Sequence, residues 1–194
     1  MNFDIDFLHR LPTRLRLTMT ISNYALTTLL LVNISGNTFS APFALVSPDK
    51  LIADSNMSGA LLSENENAAR LYATFWDTGN EILARDSLAT DFIDKTLPEG
   101  REQGADGAIM ASRIFRTAVP DLRCNVEQMI LAGDRVVSHL HFHGHFTGTF
   151  GKLKGKGQKV DFIATDIYQI KEGKIAANWH IEDNLTLMKQ LGAI

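Results

Sequence analysis

A scarcity of cysteine and of nucleotide-binding motifs sets the first limits on this sequence. Cys124 is the only cysteine of 194 residues, so no disulfide can form within the chain, and a buried, inert thiol is expected rather than a nucleophile. There is no Walker-type loop, no dinucleotide fingerprint and no GxSxG elbow, which leaves cofactor-dependent chemistry without support; the expected cofactor set is empty. Basic residues are not in excess either. Without residues 1–40 the chain holds 16 Lys and Arg against 20 Asp and Glu, a mildly acidic body in which nothing suggests a nucleic-acid partner, and none is expected.

What is present has the composition of a globular domain, 45% hydrophobic and 21% charged, long enough for one well-buried core. Residues 1–40 stand apart. Arg10, Arg14 and Arg16 precede an uncharged stretch from Leu17 to Phe39, the layout of an export signal with cleavage expected before Ala41. A retained membrane anchor or a true start at Met19 are the alternatives; the protein is expected to be periplasmic or secreted if the signal is genuine and cytoplasmic otherwise. It would meet a membrane only through that segment. Residues 41–62, rich in Ser, Asn and Asp without sustained periodicity, are expected to form a flexible tether, and residues 63–194 the domain.

Within the domain, Ala68, Leu71, Tyr72, Phe75 and Trp76 fall on one stripe of an amphipathic helix over Glu64–Gly79. Leu83, Leu88, Phe92 and Ile93 predict a second, shorter helix. After the breakers Pro98, Gly100, Gly104 and Gly107, a third helix follows with Ala111, Ile114, Phe115 and Ala118 on one face. Beyond Pro120 the period changes to two, predicting strands at Leu122–Ala132, Arg135–Thr147, Gln158–Ile170 and Lys174–Glu182 in an antiparallel meander. Helices first and strands afterwards give an α+β class, with helices packed on one face of the sheet.

Three features carry candidate chemistry. His139, His141, His143 and His145 alternate along one strand and share a face; they stand as a metal site, a solvated or subunit-contacting outer face, or a polar pocket wall. On the last strand Trp179 and Asp183 share one face and Asn178, His180 and Glu182 the other. Asp183 beside Trp179 is either a partly desolvated acid/base or the N-cap of a following helix. The lysines of the loop Gly151–Gly157 read as a solvated hairpin.

Val119-Pro120-Asp121-Leu122, Ala132-Gly133-Asp134-Arg135-Val136, Gly144–Phe150 (GHFTGTF), Glu172-Gly173-Lys174-Ile175 and above all Trp179–Gly192 (WHIEDNLTLMKQLG) resemble the SnoaL-like polyketide cyclases, or ester cyclases, of the nuclear transport factor two-like superfamily. The resemblance spans Asn67 to Gly192. It implies a cone-shaped α+β barrel, N-terminal helices packed in a strongly curved, mostly antiparallel sheet around a hydrophobic ligand. It also implies a cofactor-independent intramolecular aldol closure with Asp183 as the single acid/base. Tyr72, Trp76, His141, His143, His145, Trp179 and His180 are then the expected substrate contacts, with no metal ligands among them. Phe146 and Lys95 depart from the family pattern, each standing where a histidine is common. Three readings remain: a lyase or isomerase acting on a small hydrophobic carbonyl compound, a noncatalytic small-ligand-binding domain, and a homodimeric interaction domain.

Overall fold

The computed structural model describes residues 44–194; the expected export signal lies outside them. Helix α1, Gly59–Thr78, begins where the Ser58 hydroxyl accepts from the Leu61 N–H and ends at Gly79, whose φ of 74° only glycine adopts without strain. Its stripe of Ala68, Ala69, Tyr72, Ala73 and Phe75 is buried, each large side chain contributing about 1.5–3 kcal/mol by leaving water. The Arg116 guanidinium donates to the Trp76 carbonyl at 2.6 Å, tying the end of α1 to a later helix.

Helix α2, Glu81–Ser87, is capped by Asn80, and strand β2, Leu88–Asp94, follows it directly. Helix α3 spans Ala105–Ala118, β3 Arg123–Ala132 and β4 Arg135–Phe146. The short β5, Thr149–Phe150, and β6, Leu153–Lys154, pair with each other; β7 covers Gln158–Lys171, β8 Lys174–Glu182, and α4 Asn184–Leu191. Strands β3, β4, β7 and β8 form an antiparallel run, as their alternation predicts, with β1, Pro48–Ala53, and β2 added in parallel at the edges. The six-stranded order is β1-β3-β4-β7-β8-β2. The sheet curls around α1 without closing, and the core lies between its inner face and the helices.

Three local expectations are corrected. The stretch 41–62 is not wholly a tether: it contains β1 and the first turn of α1, because the backbone of Pro48–Ala53 pairs with β3, an interaction that leaves no periodic apolar signature when both strand faces are largely exposed. The predicted second helix stops at Ser87; Leu88 and Phe92 belong to β2, whose Asp94 pairs with Asn178 of β8. In α3 the buried face is Ala108, Ile109, Ser112 and Ala118, while Ile114 is 52% exposed.

Candidate active site

Period-two alternation places Phe162, Ala164, Asp166 and Tyr168 of β7 on the inner face, and Asn178, His180 and Glu182 of β8 beside them. The cross-strand pairs Asp166–His180, Tyr168–Asn178 and Ala164–Glu182 set a polar band across the sheet, which Asp94 extends from β2. Above this band opens a cavity of about 860 Å³, within the range of small-molecule sites. Its apolar wall is aromatic: Trp76, Phe92, Phe115, Phe142, Phe150 and Phe162. Phe142 and Phe162 stack with centroids 5.2 Å apart, and Trp76 meets Phe142 edge-on at 6.0 Å.

His180 is 8% exposed and spans two carboxylates. Its Nδ1 lies 2.7 Å from Glu182 Oε1, and its Nε2 lies 3.0 and 3.1 Å from the two oxygens of Asp94. Burial alone would lower the imidazole's pKa. The hydrogen bonds and negative charge of Glu182 and Asp94 outweigh it and raise the value to about 9, so the ring is a cation at neutral pH. Burial pushes Glu182 up, but the bond and charge of His180 leave it below the ordinary carboxyl range. Asp94 is held further by the Thr96 N–H at 2.9 Å, and Thr96 Oγ1 in turn accepts from the His180 N–H. Gln103 reads the Asp94 backbone like a neighbouring strand, accepting from its N–H at 2.9 Å and donating to its carbonyl at 2.8 Å.

Asp166 is the most buried carboxyl among the described residues. Burial pushes its pKa up to about 6, only partly offset by the Tyr168 hydroxyl, which donates to Oδ2 at 2.7 Å, and by the charge of His180. The Asn178 side chain also favours its charged form, and Asp166 lines the cavity. Glu182 and Tyr72 line the same cavity. Burial and the nearby Asp166 charge raise the Tyr72 phenol well above its ordinary value, keeping it a hydrogen-bond donor.

The structure brings Tyr72, Trp76 and His180 to this cavity. It does not bring His141, His143, His145, Trp179 or Asp183. The inward positions of β4 are Ser138, Leu140, Phe142, Gly144 and Phe146, so the histidines project from the outer face. There His141 pairs with Asp161 at 2.8 Å and lies 3.6 Å from Glu127, His145 pairs with Asp121 at 2.7 Å, and His143 packs against His141. Trp179 lies under the Arg135 guanidinium on that same side. Asp183 is the N-cap of α4: it accepts from the Thr186 N–H at 3.0 Å, which holds its carboxyl below the usual range, the opposite of the shift a general acid needs. Among the described residues no three His, Cys, Asp or Glu side chains are set to share a metal.

Asp94 and Asp166 escaped the sequence reading. A signal for Asp166 was present, since it shares parity with Phe162, Ala164 and Tyr168 and so is an acid on an apolar strand face; Asp94 gave none while Leu88–Ile93 read as helix.

The profile of the SnoaL-like polyketide cyclases matches residues 66–191, the helices and sheet that build this cavity. The chain belongs to that family. This family member resembles the crystal structure of a candidate polyketide cyclase from Bacillus cereus at 39% identity and a TM-score of 0.71, over 77% of this chain and 95% of that one. A candidate SnoaL-like polyketide cyclase from a Jannaschia species is 21% identical with a TM-score of 0.62, over 73% and 99% of the two chains. IdmH from Streptomyces antibioticus, a candidate polyketide cyclase, is 19% identical with a TM-score of 0.60, over 66% and 98%. These last two share the fold. No protein of curated function matches the sequence.

Proposed function

We propose that this SnoaL-like protein is an acid–base enzyme of the cyclase or isomerase type acting on a small hydrophobic carbonyl compound. The observation that carries the proposal is a buried carboxyl, Asp166, lining an aromatic-walled cavity beside the buried His180, with burial pushing its pKa up to about 6. A general base works best with a pKa near the operating pH, and Asp166 meets that condition where Asp183 does not. In this scheme the Asp166 carboxylate takes a proton from a carbon between carbonyl groups. The electron pair moves to the carbonyl oxygen, where the Tyr72 hydroxyl stabilises the enolate. The enolate carbon then attacks a second carbonyl of the same molecule. The new alkoxide recovers the proton from Asp166, so protons and electrons balance within one substrate.

The test is hydrogen–deuterium exchange at the activated carbon of small β-dicarbonyl compounds, followed by proton NMR in deuterium oxide. Wild-type protein is expected to accelerate exchange and Asp166→Asn to lose about 100-fold or more, with circular dichroism unchanged. Equal rates in the two proteins would overturn the base assignment. Absence of exchange in both, with the compounds still bound, would favour the noncatalytic ligand-binding reading.

The outer face supports a second copy of this chain as partner. Ile163, Ile167 and Ile181 are 44%, 41% and 77% exposed there. We infer a homodimer through this face. Sedimentation at micromolar concentration should give twice the chain mass, and Ile167→Asp with Ile181→Asp should give a monomer; a monomeric wild type would reject the pairing.

A further inference from the structure

Asp166 faces a titratable or polar group from every element packed around it: Tyr72 from α1, Asp94 from β2, Cys124 from β3, Ser138 from β4, Tyr168 on its own strand, and Asn178, His180 and Glu182 from β8. His180 and Glu182 act on it through charge, and Asn178 through its side-chain amide. Tyr168 holds it directly, with its hydroxyl 2.7 Å from Oδ2 and both side chains buried. The Tyr168 ring is wedged edge-on against Tyr72, with centroids 5.8 Å apart, so the hydroxyl has little freedom to turn away.

We propose that Tyr168 is a positioning residue for the base: its hydroxyl pins Asp166 through Oδ2, leaves Oδ1 as the one oxygen presented to the ligand, and sustains the carboxylate form in a buried site. This rests on the assignment of Asp166 as the base. Two consequences follow from the chemistry. A carboxylate that keeps one donor in a dry environment ionises more readily than one that keeps none. A carboxylate fixed at one oxygen cannot rotate, so the proton is taken along one direction relative to the aromatic wall. Tyr168 itself never meets the substrate, since it is fully buried behind Asp166 and does not line the cavity.

The experiment compares wild type and Tyr168→Phe, which keeps the buried ring and removes the donor. Carboxyl carbon NMR of protein labelled at aspartate, with Asp166→Asn to assign the signal, follows the ionisation of Asp166 without any substrate. The wild-type midpoint should lie near 6 and that of Tyr168→Phe higher by about one unit. The acid limb of the exchange–pH profile should move upward with it. Should Tyr168→Phe not fold, a fluorinated tyrosine at position 168, a stronger donor, replaces it and should move the midpoint down. An unmoved midpoint in a folded variant overturns the proposal and gives Tyr168 a packing role only. The two assignments separate cleanly: a moved midpoint without exchange in wild type leaves the hydrogen bond's hold on Asp166 standing and removes the reaction.

Discussion

The two faces of the sheet carry similar residue types to opposite ends. On the inner face, His180 sits between Asp94 and Glu182 under the helices, where burial makes each charge depend on its neighbour. On the outer face, His141 and His145 also pair with carboxylates, yet they line no cavity and keep 28% and 59% of their side-chain area exposed to water. The difference teaches that a histidine–carboxylate pair gains functional weight from what covers it. In a dry site the same contact fixes a charge state; on an open sheet, water and salt screen it.

Substitutions on each face sharpen that contrast. His180→Ala removes the cation that separates Asp94 from Glu182 and should cost about 3 kcal/mol or more in urea unfolding at neutral pH; a loss no greater than that of an outer-face histidine would break the comparison. The same pair makes stability depend on pH. The folded value of His180, about 9, lies above its ordinary 6.5, so its contribution is fully present below pH 6.5 and disappears as pH rises through 9. Unfolding midpoints measured across that interval should fall in the wild type and stay flatter in His180→Gln.

Asp183→Ala comes next in size. Loss of the cap of α4 should lower Tm by a few degrees while deuterium exchange continues at the wild-type rate; lost exchange with an intact fold would return the catalytic role to Asp183. The smallest effect is expected for His143→Ala, which has only a neighbouring ring to lose. Thermal stability and exchange should both remain at wild-type values.

Much of the architecture was legible before any coordinates. The stripe through Tyr72, Phe75 and Trp76 specified α1, and the turns at Gly133 and Gly173, both with positive φ, fixed the hairpins of β3–β4 and β7–β8. The parallel edge strands were not legible. A parallel strand is defined by pairing with a distant segment, and neither Pro48–Ala53 nor Leu88–Asp94 has a turn that announces its partner. The site was half legible. Alternation grouped Asn178, His180 and Glu182, and the first helix supplied Tyr72 and Trp76, whereas Asp94 reached His180 only through a contact 86 residues away in sequence.

By itself the sequence determined which residues travel together: the four histidines of β4 on one side, Asn178, His180 and Glu182 on one side of β8, Trp179 opposite them. That follows from the two-residue repeat of a strand, a local property of the backbone. Only the tertiary structure decided which side is the inside. The helices cover one face of the sheet, where burial raises the pKa of Asp166 and the paired carboxylates of Glu182 and Asp94 keep His180 protonated, while the histidine row of β4 is left outside. Local alternation is blind to that choice, because inverting every strand leaves the pattern unchanged and only packing against α1 and α3 tells the two faces apart.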